Sequence, residues 1–228
     1  MGRSTDSSGL GAVGIGLAGS PARSTGFCYL RSARRLRAEV LHDDEEILAA
    51  TESARPALVV IDAPLSLPRG RASIEDRSGP HLRACDRELL RLGIRFFPLT
   101  LGPMRMLTVR GMRLERALSR RGYRVLEGYP GGSQDLLGLP RKQVGVPLLQ
   151  RALLRAGISG VLAKRPLTHD ELDAVTIAWV GRRFLDGDGV LVGDPEEGLM
   201  LLPTRERPER LVRPPRRAKS TRPNDRSM

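Results

Sequence analysis

The run Ala57-Leu58-Val59-Val60-Ile61 ends on Asp62 and is closed off by Pro64 and Pro68. It shows no polar–apolar alternation, so both faces of the strand it forms must be buried. That is the situation of a parallel or central strand. A strand buried on both faces needs helices above and below it, which selects an α/β architecture. The same run sets a carboxylate at the strand's carboxyl end, where ligands of open α/β sheets gather. The alternative role for Asp62 is structural, capping the turn through a backbone N–H, and the following Ala63-Pro64-Leu65-Ser66-Leu67-Pro68 accommodates it.

Three extended segments come first, near residues 10–17, 26–31 and 35–41. The acidic run His42-Asp43-Asp44-Glu45-Glu46 then opens a short helix to about residue 53, its acids complementing the helix dipole. After the apolar strand and a polar loop, helices are predicted over 80–92 and 103–121, a strand over 124–129, and helices over 147–156 and 169–185. Segments 189–192 and 198–202 flank a Gly-Asp-Pro turn and read as a closing hairpin. A meander followed by alternating strands and helices predicts a mixed sheet, three antiparallel strands plus parallel ones, flanked by helices. The predicted organisation is a flexible N-terminus over 1–9, one domain over 10–203 and a separate tail over 204–228.

The first strand carries Val13-Gly14-Ile15-Gly16-Leu17-Ala18-Gly19-Ser20, which contains G-x-G-x-x-G. A dinucleotide fingerprint requires a helix opening on those glycines. Here Pro21 and Gly26 make a turn, and Phe27-Cys28-Tyr29-Leu30 is extended. The segment reads as a hairpin, presents no helix N-terminus to a pyrophosphate, and implies no dinucleotide cofactor.

The chain holds 38 Lys and Arg against 26 Asp and Glu, a formal net charge of +12. Only Lys142, Lys164 and Lys219 are lysines. Arginine suits phosphate because its planar fork donates two hydrogen bonds, although a coding bias towards arginine gives the same count. From Thr204 onward there are nine Lys or Arg and three Asp or Glu among many prolines, a composition expected to be disordered and able to hold phosphates non-specifically. Rows at helical spacing, Arg83, Arg87 and Arg91 and then Arg113, Arg116 and Arg120, fit phosphate tracking or simply solvated faces. One Trp, three Tyr and four Phe argue against a single-strand stacking platform. Two cysteines make neither a disulfide framework nor a zinc site, no apolar run reaches a membrane span, and the N-terminus lacks a signal-peptide pattern. The expectation is a cytoplasmic protein without a membrane partner.

Two further sites carry acids in unusual places. Alternation along residues 123–130 puts Val125, Glu127 and Tyr129 on one face, so Glu127 is costly there unless paired with an arginine or metal-bound. Thr168 and Glu171 fit a capping box that starts a helix, and Asp170 falls in its first turn, where an acid is favoured anyway. Asp173 is different: it stacks on the apolar stripe of Ile177, Val180 and Phe184 and should face the sheet, with Asp170 on the same side. Two carboxylates turned towards a strand ending in Asp62 repel each other, and a divalent cation relieves that repulsion. Oxygen ligands without a histidine or thiol cage suit magnesium or manganese, and two such ions hydrolyse phosphodiesters.

The segments VGIGLAGSPARSTGF, LVVIDAPLSLP, RACDREL, LEGYPGG, HDELDAVTIAW and GDPEEG follow one another over about residues 11–203. In this ordered set the chain resembles the domain-of-unknown-function family 429, predicted nucleases of the RNase H fold. The resemblance implies an RNase H-like mixed sheet flanked by helices and an acidic Mg2+- or Mn2+-dependent site acting on nucleic acid, DNA or RNA. It maps Asp62 to the acid ending the fourth strand, Asp170 and Asp173 to the late-helix pair, and Glu127 to an E-x-Y-P-like motif. Asp62 and Asp173 are expected to hold the metal, with Asp170 and Glu127 completing the set, and Arg83 in RACDREL to contact phosphate. The family reads G-I-D-L-A in its first strand, where this chain has Gly14-Ile15-Gly16-Leu17-Ala18. Gly16 thus stands in place of a metal-bridging Asp. The implied function is a two-metal nuclease impaired by that loss, or a nucleic-acid-binding protein that keeps the fold without catalysis.

Overall fold

The structure is a computed structural model that describes residues 11–204, so the expectations for the N-terminal segment and the basic tail lie outside the described residues. Seven strands form one mixed sheet: β1 (Ala12–Gly16), β2 (Thr25–Ser32), β3 (Arg35–Leu41), β4 (Leu58–Ile61), β5 (Val125–Gly128), β6 (Val190–Asp194) and β7 (Gly198–Leu202). Their spatial order is β3-β2-β1-β4-β5-β7-β6, open at both edges. Strands β1, β2 and β3 pair antiparallel, as the predicted meander requires. Parallel pairings join β1 to β4, β4 to β5 and β5 to β7, and the closing hairpin adds β6 antiparallel to β7. β4 lies at the centre with every residue buried, as its unbroken apolar run demands.

Six α-helices flank the sheet: α1 (Asp44–Ala54), α2 (Ala84–Arg91), α3 (Gly102–Arg120), α4 (Pro130–Leu136), α5 (Val146–Arg155) and α6 (His169–Leu185). On one face Val13, Ile15, Val59 and Ile61 pack against Ile47 of α1 and against Leu114 and Leu118 of α3. On the other, Leu58 and Val60 meet Ile177 and Val180 of α6, while Leu172 and Val175 reach Leu149 and Leu153 of α5. Because α6 has sheet on one side and helices on the other, it is buried nearly all round along residues 171–178. No helix among the described residues is long and apolar enough to cross a membrane.

The glycines of the first strand find their explanation here. A Cβ on Gly14 would stand 2.1 Å from the carbonyl oxygen of Ala174, and one on Gly26 would stand 2.0 Å from that of Asp170. The backbone of α6 therefore rests directly on the backbone of β1 and β2, which only residues without side chains permit. The β1–β2 hairpin, with Gly16 opposite Gly26, is the element expected in place of a nucleotide fingerprint.

One expectation is corrected, and one helix is added. The helix predicted over 80–92 begins only at Ala84, because residues 62–83 form a long irregular connection. Buried Arg71 organises that connection by donating to the carbonyl oxygens of Pro80, Asp76 and Gly79. Helix α4 was not anticipated, since Pro130-Gly131-Gly132 looks like a turn. Pro130 instead occupies the first turn, where its missing N–H is harmless.

Candidate active site

Asp62 leaves the carboxyl end of β4, its N–H donating to Ile15 O at 2.9 Å. Ile15 lies beside Ile61 in the parallel register, so Gly16 is the neighbour of Asp62 across the two strands. Helix α6 enters the same region at its N-terminus through the expected capping box. Thr168 Oγ1 accepts from the Glu171 N–H at 3.2 Å, and Glu171 Oε2 accepts from the Thr168 N–H at 2.9 Å. That start fixes the phase of the helix. It buries Asp173, 4% exposed, and brings Asp170 to the β1–β2 turn, where its Oδ2 accepts from Ser24 Oγ at 2.6 Å.

The fold thus gathers Asp62, Asp170 and Asp173. Burial, then the charge of Asp173, pushes the Asp62 carboxyl well above the ordinary carboxylate range; Lys142 opposes this, and Glu127 and Asp170 add to it. Burial also raises Asp173, with Asp170 adding and Lys142 opposing.

Glu127 belongs to a different arrangement. The β4–β5 register sets it beside Ile61, one residue before Asp62, so by alternation the two acids leave the sheet on opposite faces. Its carboxylate is 4% exposed and receives a two-pronged ion pair from Arg83, Nη1 to Oε2 at 2.6 Å and Nη2 to Oε1 at 2.7 Å. Oε2 also accepts from the Leu65 N–H at 2.9 Å. Arg83 is itself 2% exposed and binds Asp86 through Nε and Nη2. Sequence periodicity set Arg83 in a row with Arg87 and Arg91 that tracks phosphate or faces solvent. It is instead the residue preceding α2, turned inward, and its guanidinium is spent on Glu127 and Asp86 rather than free for phosphate. Glu197 completes this corner by accepting from the N–H groups of Arg69 and Ala84, which accounts for part of the GDPEEG segment.

Sequence reasoning did not single out Lys142. Its Nζ donates to Asp173 Oδ2, and the same side chain faces Asp62 across two adjoining cavities. The larger, about 280 Å³, runs from Asp62, Glu127 and Lys142 to an apolar wall that includes Leu89, Leu99 and Leu107. The smaller, about 70 Å³, lies between Asp62, Gln134, Arg141, Lys142 and Asp173. Burial works against the Lys142 charge, but Asp173, with Asp62 and Asp170 behind it, outweighs that and holds the ammonium protonated.

The magnesium or manganese expectation meets this geometry poorly. Among the described residues, no group of three or more His, Cys, Asp or Glu side chains is arranged to hold a metal ion. Gly16 supplies no oxygen, Glu127 is saturated by Arg83, and Asp173 already has a cation in Lys142. The side chains present therefore do not make a two-metal centre.

Beside the larger cavity a hollow of about 600 Å³ is lined by Leu90, Arg95, Phe96, Phe97, Tyr129 and Arg141 among others. Tyr129 Oη donates to Arg95 O at 2.6 Å, and the Arg141 guanidinium stands 5.9 Å from the Tyr129 ring centre while pairing with Asp135. A search of curated proteins finds no match to the chain. The match of the family DUF429, described as a protein of unknown function, runs over residues 14–197, and the chain belongs to that family.

Proposed function

We propose that the chain is a nucleic-acid-binding protein that holds phosphodiester strands at this cleft and does not hydrolyse them by two-metal chemistry. The observation that carries the reading is the hollow beside Asp62 and Lys142, where Arg95, Arg141, Phe97 and Tyr129 meet. Three of the chain's eight aromatic Phe, Tyr and Trp residues, Phe96, Phe97 and Tyr129, line it, so the scarcity of aromatics is offset by their concentration. Phe97 is 72% exposed and open to a base face. Arg95 is exposed and has no ion-pair partner among the described residues, leaving its guanidinium free for phosphate. The net charge of +12 favours a polyanion in general. Hydrolysis is left out of the reading because position 16 has neither a ligand nor room for one beside α6.

The test combines binding and cleavage with labelled single strands, duplex, branched DNA and an RNA–DNA hybrid, with and without Mn2+. The expected outcome is affinity that falls steeply with salt and no metal-dependent product. Mn2+-dependent cleavage that disappears in Asp173→Asn would replace this reading with the hydrolytic one. Absence of binding to every member of the panel at low salt would remove the nucleic-acid reading altogether.

A further inference from the structure

We infer that Lys142 is the resident cation of the acidic site: its ammonium occupies the electrostatic role of a divalent ion among Asp62, Asp170 and Asp173, and the site takes no metal. Three observations carry this. Lys142 Nζ binds Asp173 Oδ2, the oxygen of the most buried of the three acids, and lines both cavities that Asp62 lines. The lysine is held in place by its loop: Val144 N–H donates to Arg141 O at 2.9 Å and Gly145 N–H to Lys142 O at 3.2 Å, while Arg141 is fastened to Asp135. The third observation is the choice of residue. This chain has 38 basic residues, of which only three are lysines, and one of those three is here. An ammonium is a compact point charge with donors in several directions, whereas a guanidinium is a flat fork. A cavity of about 70 Å³ bordered by two carboxylates suits the former.

The charge balance makes the inference specific. With one ammonium on Asp173 and beside Asp62, the cluster loses part of the repulsion that would otherwise draw in a divalent ion. Removing the ammonium restores that repulsion and frees Asp173 Oδ2, so the three carboxylates can draw together on a divalent ion. The inference concerns the same site as the proposed function but needs no nucleic acid to test, so the two can fail separately.

The experiment is Mn2+ binding to the full chain by titration calorimetry and by the shift in melting temperature, for the natural protein, Lys142→Met and Lys142→Arg. The natural chain and Lys142→Arg, which keeps the charge, are expected to show no saturable Mn2+ binding and no melting shift. Lys142→Met is expected to bind Mn2+ saturably, at least about tenfold tighter than the weakest affinity the titration detects, with a melting temperature that rises with Mn2+. That gain is expected to vanish in Lys142→Met/Asp173→Asn. Saturable Mn2+ binding by the natural chain that is lost in Asp173→Asn would overturn the inference, as would a folded Lys142→Met that gains none. If Lys142→Met does not fold, the natural chain's titration decides alone: binding dependent on Asp173 overturns the inference, and its absence upholds it.

Discussion

The carbonyl oxygen of Asp170 stands 2.7 Å from the point where Gly16 would carry a Cβ. Helix α6 lies over the position where the family resemblance leads one to expect an aspartate. A side chain at 16 must push the first turn of α6 away from β1, and that turn carries Asp170 and leads to Asp173. Gly16→Asp is therefore expected to destabilise the protein by about 1–3 kcal/mol in urea unfolding and not to confer Mn2+-dependent cleavage. A stable, active Gly16→Asp would show that the helix shifts without cost.

The buried triad of Glu127, Arg83 and Asp86 carries a second expectation. Truncating Arg83 leaves two buried carboxylates without their counter-ion, and breaking such a pair costs about 3–5 kcal/mol. Arg83→Leu should approach that loss in equilibrium unfolding. Glu127→Gln in the same background should recover part of it, because the two substitutions share one interaction. Additive losses would mean that the arginine and the glutamate act independently.

How much of this was legible in the sequence depends on how local each cause is. The β4 strand was readable because burial on both faces leaves an unbroken apolar run. The start of α6 was readable because Thr168 and Glu171 bond within one turn. Alternation correctly required Glu127 to be paired or metal-bound, but its partner lies 44 residues away and composition does not select among so many arginines. Arg83 was misplaced because an i, i+4 row holds only inside a helix, and α2 begins one residue later. Lys142 stood out only as one of three lysines: it sits in a loop without periodicity and meets Asp173 across 31 residues of chain, so nothing local gave it a role. The missing oxygen at Gly16 was visible, whereas the helix seated on it was not, since close backbone approach is a property of the packed layers.

Asp62 sets the response to pH. Burial, then Asp173, raises its folded-state affinity for a proton, so the folded chain binds that proton at pH values where the unfolded chain has lost it. Stability from this group is fully present below the unfolded pKa of about 3.9 and is lost as pH rises towards the folded value. In that window the loss is about 1.4 kcal/mol per pH unit at most. Asp62→Asn keeps the shape and removes the titration. Its stability relative to the natural chain should be near equal at pH 3 and should improve as pH rises to 7, read by urea unfolding at each pH. A constant difference across that range would mean that Asp62 is not the group responsible.

Glu171 has the opposite sign. Burial raises its pKa, but Arg165, whose two guanidinium nitrogens reach its carboxylate, and the Thr168 N–H and hydroxyl together lower it. Its contribution is present above the unfolded pKa and is lost as pH falls through the lowered folded value. Glu171→Gln keeps an oxygen for the Thr168 N–H and removes the charge that Arg165 pairs with, so it should cost at most about 1 kcal/mol at neutral pH, because Arg165 is substantially exposed, and the cost should shrink in acid. An undiminished cost in acid would place the effect in packing rather than charge.

Phe97 separates binding from folding. It is 72% exposed, so Phe97→Ala should leave stability within about 0.5 kcal/mol of the natural chain. If bases stack on the ring, the same substitution should weaken single-strand binding by about 1–3 kcal/mol without changing the salt dependence. Arg95→Ala should act differently, reducing affinity and lowering the slope of log affinity against log salt by about one phosphate contact. Fluorescence anisotropy over a salt series distinguishes the two signatures. Equal, salt-independent losses from both variants would indicate a reshaped loop and not two separate contacts to a strand.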